Sequence, residues 1–227
     1  MIGDAVHRAV LQSHLFEKEF LRGPDGPWNR NPWKGELDEL RKAYPEATIL
    51  KADEYDAVLR MRDNVHAHPV ISQLLTDEVE LSAVWEDSAT GILCKGRFDC
   101  VNRKHAALVD LKKTRDASPH GFLRAIGSYA YYLQAAMYIS GAHVLGLPIQ
   151  HFVFVAIEDY PPYAVAAYRI TDKALMAAEH ELGALMQVYK ECVEADHWPA
   201  YSSKIEDIAV PGWVAARIEN ELGVELV

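Results

Sequence analysis

Apolar residues recur with the helical period over long stretches of the chain, and each stretch predicts an amphipathic helix with one buried face. These helices are predicted over residues 4–21, 36–43, 53–67, 119–140 and 172–195. Asp4 and Thr171 are candidate N-caps for two of them, and Pro119 opens a third at the position where a helix tolerates proline best. Residues 70–75 add one further turn, and a short helix follows Trp213.

Shorter apolar runs that alternate with polar residues predict strands. The predicted strands are residues 79–85, 92–101, 107–113, 152–157 and 163–170. The first three are joined by short polar turns, so they form an antiparallel meander. This order of elements predicts an α/β fold of the α+β kind, in which a central mixed β-sheet is flanked by helices.

Length and composition fit a single domain over residues 1–227, because half of the residues are hydrophobic and can form a sizeable core. No run approaches the ~20 apolar residues that a membrane helix needs. The three cysteines are scattered and odd in number, which argues against a disulfide framework or a four-cysteine metal site. We therefore expect a cytoplasmic protein without membrane association.

The formal net charge of −10 is unusual for a protein that binds nucleic acid, because phosphate contacts need lysine and arginine. Between residues 95 and 124, however, eight basic residues outnumber three acidic ones, which leaves a local charge of +5. Such a patch on an acidic body can attract DNA. The alternative is an ordinary solvated surface.

Two neighbouring strands of the meander carry acidic residues at comparable positions, in Gly96-Arg97-Phe98-Asp99 and in Asp110-Leu111-Lys112. Asp110 and Lys112 are two residues apart, so on a strand they share one face while Leu111 points into the core. Two carboxylates suit a hard divalent cation such as Mg²⁺. A lysine beside that ion can orient a water or neutralise charge on a phosphate. The pattern predicts metal-dependent cleavage of phosphodiesters.

These residues resemble the PD-(D/E)XK nuclease superfamily and, more narrowly, the exonuclease VIII (RecE-type) nuclease domain of phage and prophage recombination systems. The resemblance runs over nearly the whole chain and rests on the order and spacing of its motifs. In chain order they are Gly3–Leu11, His68-Pro69, Glu80 with Trp85, Gly91 with Cys94–Asp99, Asp110–Lys112, Gln134–Tyr138, Trp198–Tyr201 and Pro211–Trp213. It implies a restriction-endonuclease-like core.

The resemblance also implies a metal site. Its ligands would be Asp99, Asp110, His7 and the backbone carbonyl of Leu111, with Mg²⁺ as the cofactor and Mn²⁺ as a substitute. Lys112 would position the attacking water.

Further residues are implied to support catalysis or DNA binding. Glu80 would contact the metal or hold a metal-bound water, and its alternative is a solvent-facing strand acid. Gln134 and Tyr138 share a helix face by the active site, unless they only pack the helix.

Three more expectations concern other residues of the chain. Arg97, Lys113 and Arg115 are expected to contact DNA. The tyrosines of the following helix, Tyr129, Tyr131 and Tyr132, are expected to pack rather than to stack on bases, and His14 is expected at the surface.

The function implied by the resemblance is a Mg²⁺-dependent deoxyribonuclease, a 5′→3′ exonuclease acting on double-stranded DNA ends in recombination and repair. It would work in a bacterial or phage-infected cell, hand a 3′ strand to a single-strand annealing recombinase, and form a ring-shaped homo-oligomer, a trimer or tetramer. Two alternatives stay open. One is a single-strand or structure-specific nuclease, and the other is a catalytically silent DNA-binding module.

Overall fold

The computed structural model of the protein describes residues 2–223. The helices are α1 (Ile2–Leu11), α2 (Ser13–Glu19), α3 (Trp33–Ala43), α4 (Ala52–Ala67), α5 (Ile71–Leu74), α6 (Pro119–Ser128), α7 (Tyr131–Val144), α8 (Asp172–Ala195) and α9 (Gly212–Leu222). The strands are β1 (Phe20–Arg22), β2 (Thr48–Leu50), β3 (Glu78–Glu86), β4 (Leu93–Asn102), β5 (Ala107–Thr114), β6 (His151–Glu158) and β7 (Val165–Arg169).

The central sheet has the strand order β3-β4-β5-β6-β7, and a separate parallel pair joins β1 to β2. All neighbours in the central sheet are antiparallel except β5 and β6, which run parallel. A parallel pair needs a crossover connection, and α6 and α7 supply it here. The mixed sheet flanked by helices confirms the predicted fold class.

Two hydrophobic cores cover the two faces of the sheet, and burying them drives the helices onto it. The core on the side of α1 and α4 includes Val6, Phe16, Val58, Met61, Cys100, Val109 and Leu111. The core on the side of α7 includes Trp85, Phe98, Leu108, Phe122, Ile139, Phe152 and Phe154. Each face thus holds one helix that brings functional side chains to the sheet, α1 on one side and α7 on the other.

Two predicted helices are interrupted in the structure. The helix over residues 4–21 breaks near Gln12 and ends in β1, a strand that the helical period does not predict. The helix over residues 119–140 breaks at Ala130, whose φ of 52° lies in the left-handed region. In both cases the halves share an apolar stripe, so the period alone does not reveal the break.

The chain divides into two compact units, with the boundary between Lys190 and Glu191. The prediction of one domain over residues 1–227 stays a prediction. Among the helices in residues 2–223, none is long and apolar enough to cross a membrane.

A close approach between α7 and the sheet sets the position of that helix. A Cβ placed on Gly141 would lie 2.6 Å from the ring of Trp85, which is far inside van der Waals contact. The helix therefore lies flat on the buried Trp85 ring. This contact sits on the helix that also carries Gln134.

We predict that Gly141→Ala lowers the free energy of unfolding by about 1–3 kcal/mol, because the added methyl group overpacks the Trp85 contact. Gly183→Ala in α8 is the matched control, since nothing lies within 4 Å of its Cβ position. That change should stabilise by about 0.5–1 kcal/mol, through the lower entropy of the unfolded chain. Urea unfolding measures both, and a stabilising Gly141→Ala would contradict the packing described.

Candidate active site

The site forms where β4 and β5 separate. The two strands pair from Cys100 and Val109 to Asn102 and Ala107, and their pairing stops there. One residue beyond, Asp99 Oδ2 accepts a hydrogen bond of 2.7 Å from the backbone N–H of Leu111. The carboxylate thus takes a position in the fork, where a strand-to-strand hydrogen bond would otherwise lie.

At this fork β4 and its other neighbour, β3, have an irregular backbone, whereas β5 alternates regularly, with Val109 and Leu111 in the same core. Phe98 belongs to the core beside α7 and Cys100 to the core beside α1, although residues two apart on a regular strand share a face. On β3, Glu80 lies at the register position opposite Asp99 and has a φ of 57°. Such irregularities change the direction of side chains, and here they affect Asp99 on β4 and Glu80 on β3.

A triangle of side chains connects β5 to α7. Gln134 Nε2 donates a hydrogen bond of 3.0 Å to Asp110 Oδ1, and Lys112 Nζ donates one of 2.8 Å to Gln134 Oε1. Lys112 Nζ also lies 2.5 Å from Asp110 Oδ2. The amide of Gln134 therefore holds the acid and the amine of the motif side by side.

Asp110 is a buried carboxyl with a raised pKa. Its residue is 3% exposed. Burial and the nearby charge of Asp99 raise its pKa to about 6, against the opposing effect of Lys112 and His7. Oδ2 has its charge contact with Lys112 but accepts no hydrogen bond from the described residues. Such an atom is costly to bury and can take a further positive partner.

His7 of α1 reaches the same site from the other face of the sheet. Its Nε2 lies 3.1 Å from Asp99 Oδ2, and its Nδ1 bonds the carbonyl of Gly3 at 3.0 Å. Burial lowers the pKa of His7, but the hydrogen bond and charge of Asp99 outweigh it and raise the pKa to about 9. His7 is therefore a proton-bearing partner of Asp99 in the absence of a metal.

An open cleft of about 410 Å³ leads to Asp99 and His7. Its wall consists mainly of charged residues: Asp4, His7, Arg8, Glu19, Phe20, Glu80, Arg97 and Asp99. Glu80 forms an ion pair with Arg97 there. The structure thus brings the predicted residues Glu80 and Arg97 to the site, where they neutralise each other.

The donor set fits Mg²⁺ or Mn²⁺. Within residues 2–223, no three His, Cys, Asp or Glu side chains form a group that could hold a metal ion on their own. Mg²⁺ usually takes only one or two carboxylates and completes its shell with waters and substrate phosphates. The buried Oδ2 of Asp110 and the neighbouring carboxylate of Asp99 meet that requirement. The carbonyl of Leu111 stays a predicted ligand.

Three predicted residues lie outside this arrangement. Tyr138 packs edge-on against Phe98 at 5.0 Å between ring centroids, which corresponds to the packing alternative. Lys113 forms an ion pair of 2.5 Å with Asp159. Lys113 and Arg115 line a separate groove beyond the end of β5.

Tyr131, expected from the sequence only to pack, also contacts the site. Its ring centroid lies 4.6 Å from Lys112 Nζ, which is a cation–π contact. Tyr131 precedes Gln134 by three residues, so the two share a helix face. That spacing is the signal in the sequence that points to this contact.

A family model described as a "PDDEXK-like domain of unknown function (DUF3799)" matches residues 1–210 of the chain. This match confirms the predicted superfamily. The narrower resemblance to the exonuclease VIII (RecE-type) domain stays a prediction. No curated protein sequence gives a significant match.

Among solved structures, a candidate exonuclease from Eubacterium rectale is similar, with a TM-score of 0.56 and 17% identity over 84% of this chain and 75% of that chain. At this identity the likeness shows the fold alone, and it confirms the restriction-endonuclease-like core. A structure named SSO0001 aligns over 89% of this chain and 98% of its own at 17% identity, with a TM-score of 0.33, which is too low to indicate a shared fold.

We predict that Asp110→Asn stabilises the protein at pH 7.5 in EDTA. Because its folded pKa of about 6 lies above the ordinary value of 3.8, Asp110 favours the folded state when protonated and loses that contribution as the pH rises through 6. A neutral amide at this position should increase the free energy of unfolding at pH 7.5 by about 1–3 kcal/mol. Urea unfolding measures the gain, with the exposed Asp38→Asn as the control, and a destabilised Asp110→Asn would refute this account of the buried charge.

His7 should make the metal-free protein less stable as the pH rises. Its folded pKa of about 9 exceeds the ordinary value of 6.5, so its contribution is complete below pH 6.5 and is lost as the pH approaches 9. In His7→Gln, the decrease in the free energy of unfolding between pH 6.5 and pH 9 should be smaller than in the parent by about 1–2 kcal/mol. Urea unfolding at several pH values in EDTA tests this, with exposed His14→Gln as the control; an unchanged slope in His7→Gln would contradict it.

Proposed function

Because the chain belongs to the family of PDDEXK-like domains of unknown function, we propose that it is a Mg²⁺-dependent deoxyribonuclease that hydrolyses phosphodiester bonds. The observation that carries this proposal is the triangle of Asp110, Lys112 and Gln134 beside Asp99. A buried carboxylate with an open acceptor, a second carboxylate and an adjacent ammonium are the groups that this chemistry needs.

The residues of the site take distinct roles in this proposal. Asp99 and Asp110 would hold the ion, helped by His7 and the carbonyl of Leu111, and His7 would give up its proton on becoming a ligand. When bound, Mg²⁺ lowers the pKa of a water and polarises the scissile phosphate. Hydrolysis would form a bond from a water oxygen to phosphorus and break the bond from phosphorus to the 3′ oxygen. The 3′ oxygen would leave as a hydroxyl that carries a proton of the attacking water, and the other product would end in a 5′-phosphate.

Lys112 stabilises the charge that grows on the phosphate during this attack. The amide oxygen of Gln134 and the ring of Tyr131 hold its ammonium next to Asp110. Since these contacts exist before the substrate arrives, little reorganisation is needed during the reaction.

We further propose that the substrate is the end of double-stranded DNA, degraded in the 5′→3′ direction during recombination. The acidic chain, with a net charge of −10, then binds DNA through its basic stretch between residues 95 and 124. A ring-shaped homo-oligomer would bring several such stretches to one channel, while the acidic surface faces solvent. An annealing recombinase would receive the remaining 3′ strand.

We predict that Asp110→Ala and Lys112→Ala each lower the rate of DNA cleavage at least about 100-fold, because each removes a group that acts on the reacting phosphate. The assay uses linear duplex labelled at the 5′ or the 3′ end, closed circular duplex and single strands, with Mg²⁺ or EDTA. Exposed Lys42→Ala is the matched control and should cleave like the parent.

Variants that cleave like the parent would overturn the proposed mechanism. Release of mononucleotides from the 5′ end of linear duplex, with circles left intact, would support the exonuclease. Cleavage of circles or of single strands alone would favour the structure-specific or single-strand nuclease instead. A parent protein that binds DNA but gives no Mg²⁺-dependent product would favour the silent DNA-binding module.

A further inference from the structure

A second groove, of about 490 Å³, lies beside the candidate active site, between the end of β5 and helices α6 and α7. Its lining combines basic and aromatic side chains, and we call it the Tyr129 groove. The basic residues of this lining are Lys113, Arg115 and Arg124, and the aromatic residues are Tyr129 and Tyr131. Positive charge next to aromatic rings is the combination that binds single-stranded nucleic acid.

Tyr129 offers an open aromatic face in this groove. It is 70% exposed, and its ring stacks on Tyr131 with 5.4 Å between the centroids and 27° between the planes. The left-handed Ala130 directly follows it and separates α6 from α7. Tyr129 therefore packs on Tyr131 with one face of its ring and leaves the rest of its side chain exposed to solvent. A ring supported on one side is a stacking platform for a base.

The charges of the groove favour an anion. Lys113 is neutralised by Asp159 at 2.5 Å, and Arg124 lies 3.7 Å from Asp116, a looser pair. Arg115 is exposed and has no ion-pair partner among the residues that the structure describes. Arg115 and Arg124 are thus the cations available to a phosphate backbone.

Tyr131 connects the groove to the reacting groups. It supports Tyr129 on one side, and its ring lies 4.6 Å from Lys112 Nζ on the other. A nucleotide stacked on Tyr129 would therefore be a near neighbour of the one at the catalytic lysine. The groove would thus continue the path of a strand whose phosphate reaches Asp110 and Lys112.

We propose that the Tyr129 groove binds the single-stranded end of the DNA substrate, with a base stacked on Tyr129 and phosphates at Arg115 and Arg124. The inference rests on the proposed function for the identity of the substrate. It adds a positioning site outside the metal ligands, which lets the enzyme hold one strand after the duplex end has opened.

The test measures the binding of a fluorescein-labelled oligothymidine strand to the full chain in EDTA, where no cleavage can occur. Tyr129→Ala should weaken binding about 5-fold to 150-fold, the range for loss of one stacked base. Tyr129→Trp should retain the affinity of the parent, because tryptophan also stacks. Tyr44→Ala removes a tyrosine that is 53% exposed outside the groove, and it should bind like the parent.

The arginines are tested through the salt dependence of the same binding. Removing one arginine that binds a phosphate should reduce the slope of log K against log salt by roughly 0.7. Arg115→Ala and Arg124→Ala should each show this reduction, whereas Tyr129→Ala should leave the slope unchanged. Circular dichroism spectra equal to that of the parent establish that each variant is folded.

Two results would overturn the inference. Either Tyr129→Ala binds like the parent, or Tyr129→Ala and Tyr129→Trp lose affinity equally, which would indicate a structural role. The outcome is separable from the proposed function, because cleavage of duplex by the parent in Mg²⁺ is measured independently. With cleavage present, Tyr129→Ala should raise KM more than it lowers kcat.

Discussion

The structure depends on the charge of one carboxyl group that is almost completely removed from water. A lone carboxylate at the position of Asp110 would be very unfavourable, so it must be protonated or surrounded by positive groups and hydrogen-bond donors. The protein supplies Lys112 and Gln134 from one side and the protonated His7 from the other. The nearby Asp99 opposes this by raising the pKa of Asp110. A divalent cation would relieve the same repulsion, which links stability to function.

The two cores of the fold exist on either side of this group and determine which side chains reach it. The apolar face of α1 is buried on one side of the sheet, and this presents His7 to Asp99. On the other side, α7 lies on the ring of Trp85 at Gly141, and this presents Gln134 to Asp110. The separation of β4 from β5 leaves the backbone of Leu111 available to Asp99. Packing, rather than local sequence, thus brings together His7, Asp99, Asp110 and Gln134.

Asp110 and Lys112 are two residues apart on one strand, which is sufficient to predict that their side chains lie on the same face. The contact between Lys112 Nζ and Asp110 Oδ2 confirms this placement. The five strands of the central sheet and its flanking helices also follow from apolar periods. The same periods give no sign of the left-handed Ala130 or of the resulting exposure of Tyr129, because a period reports which face is apolar and not where the backbone turns. The irregular backbone at Glu80 is likewise invisible, since the strand pattern assumes a regular alternation.

The central claim is that Asp99 and Asp110 jointly hold a divalent cation. Isothermal titration calorimetry of the full chain with Mn²⁺, in two buffers of different ionisation enthalpy, tests it most directly. The account predicts that the parent binds Mn²⁺ with release of a proton from His7, and that Asp99→Asn and Asp110→Asn each lose this binding. A parent that binds no Mn²⁺, or variants that bind it as the parent does, would contradict the account.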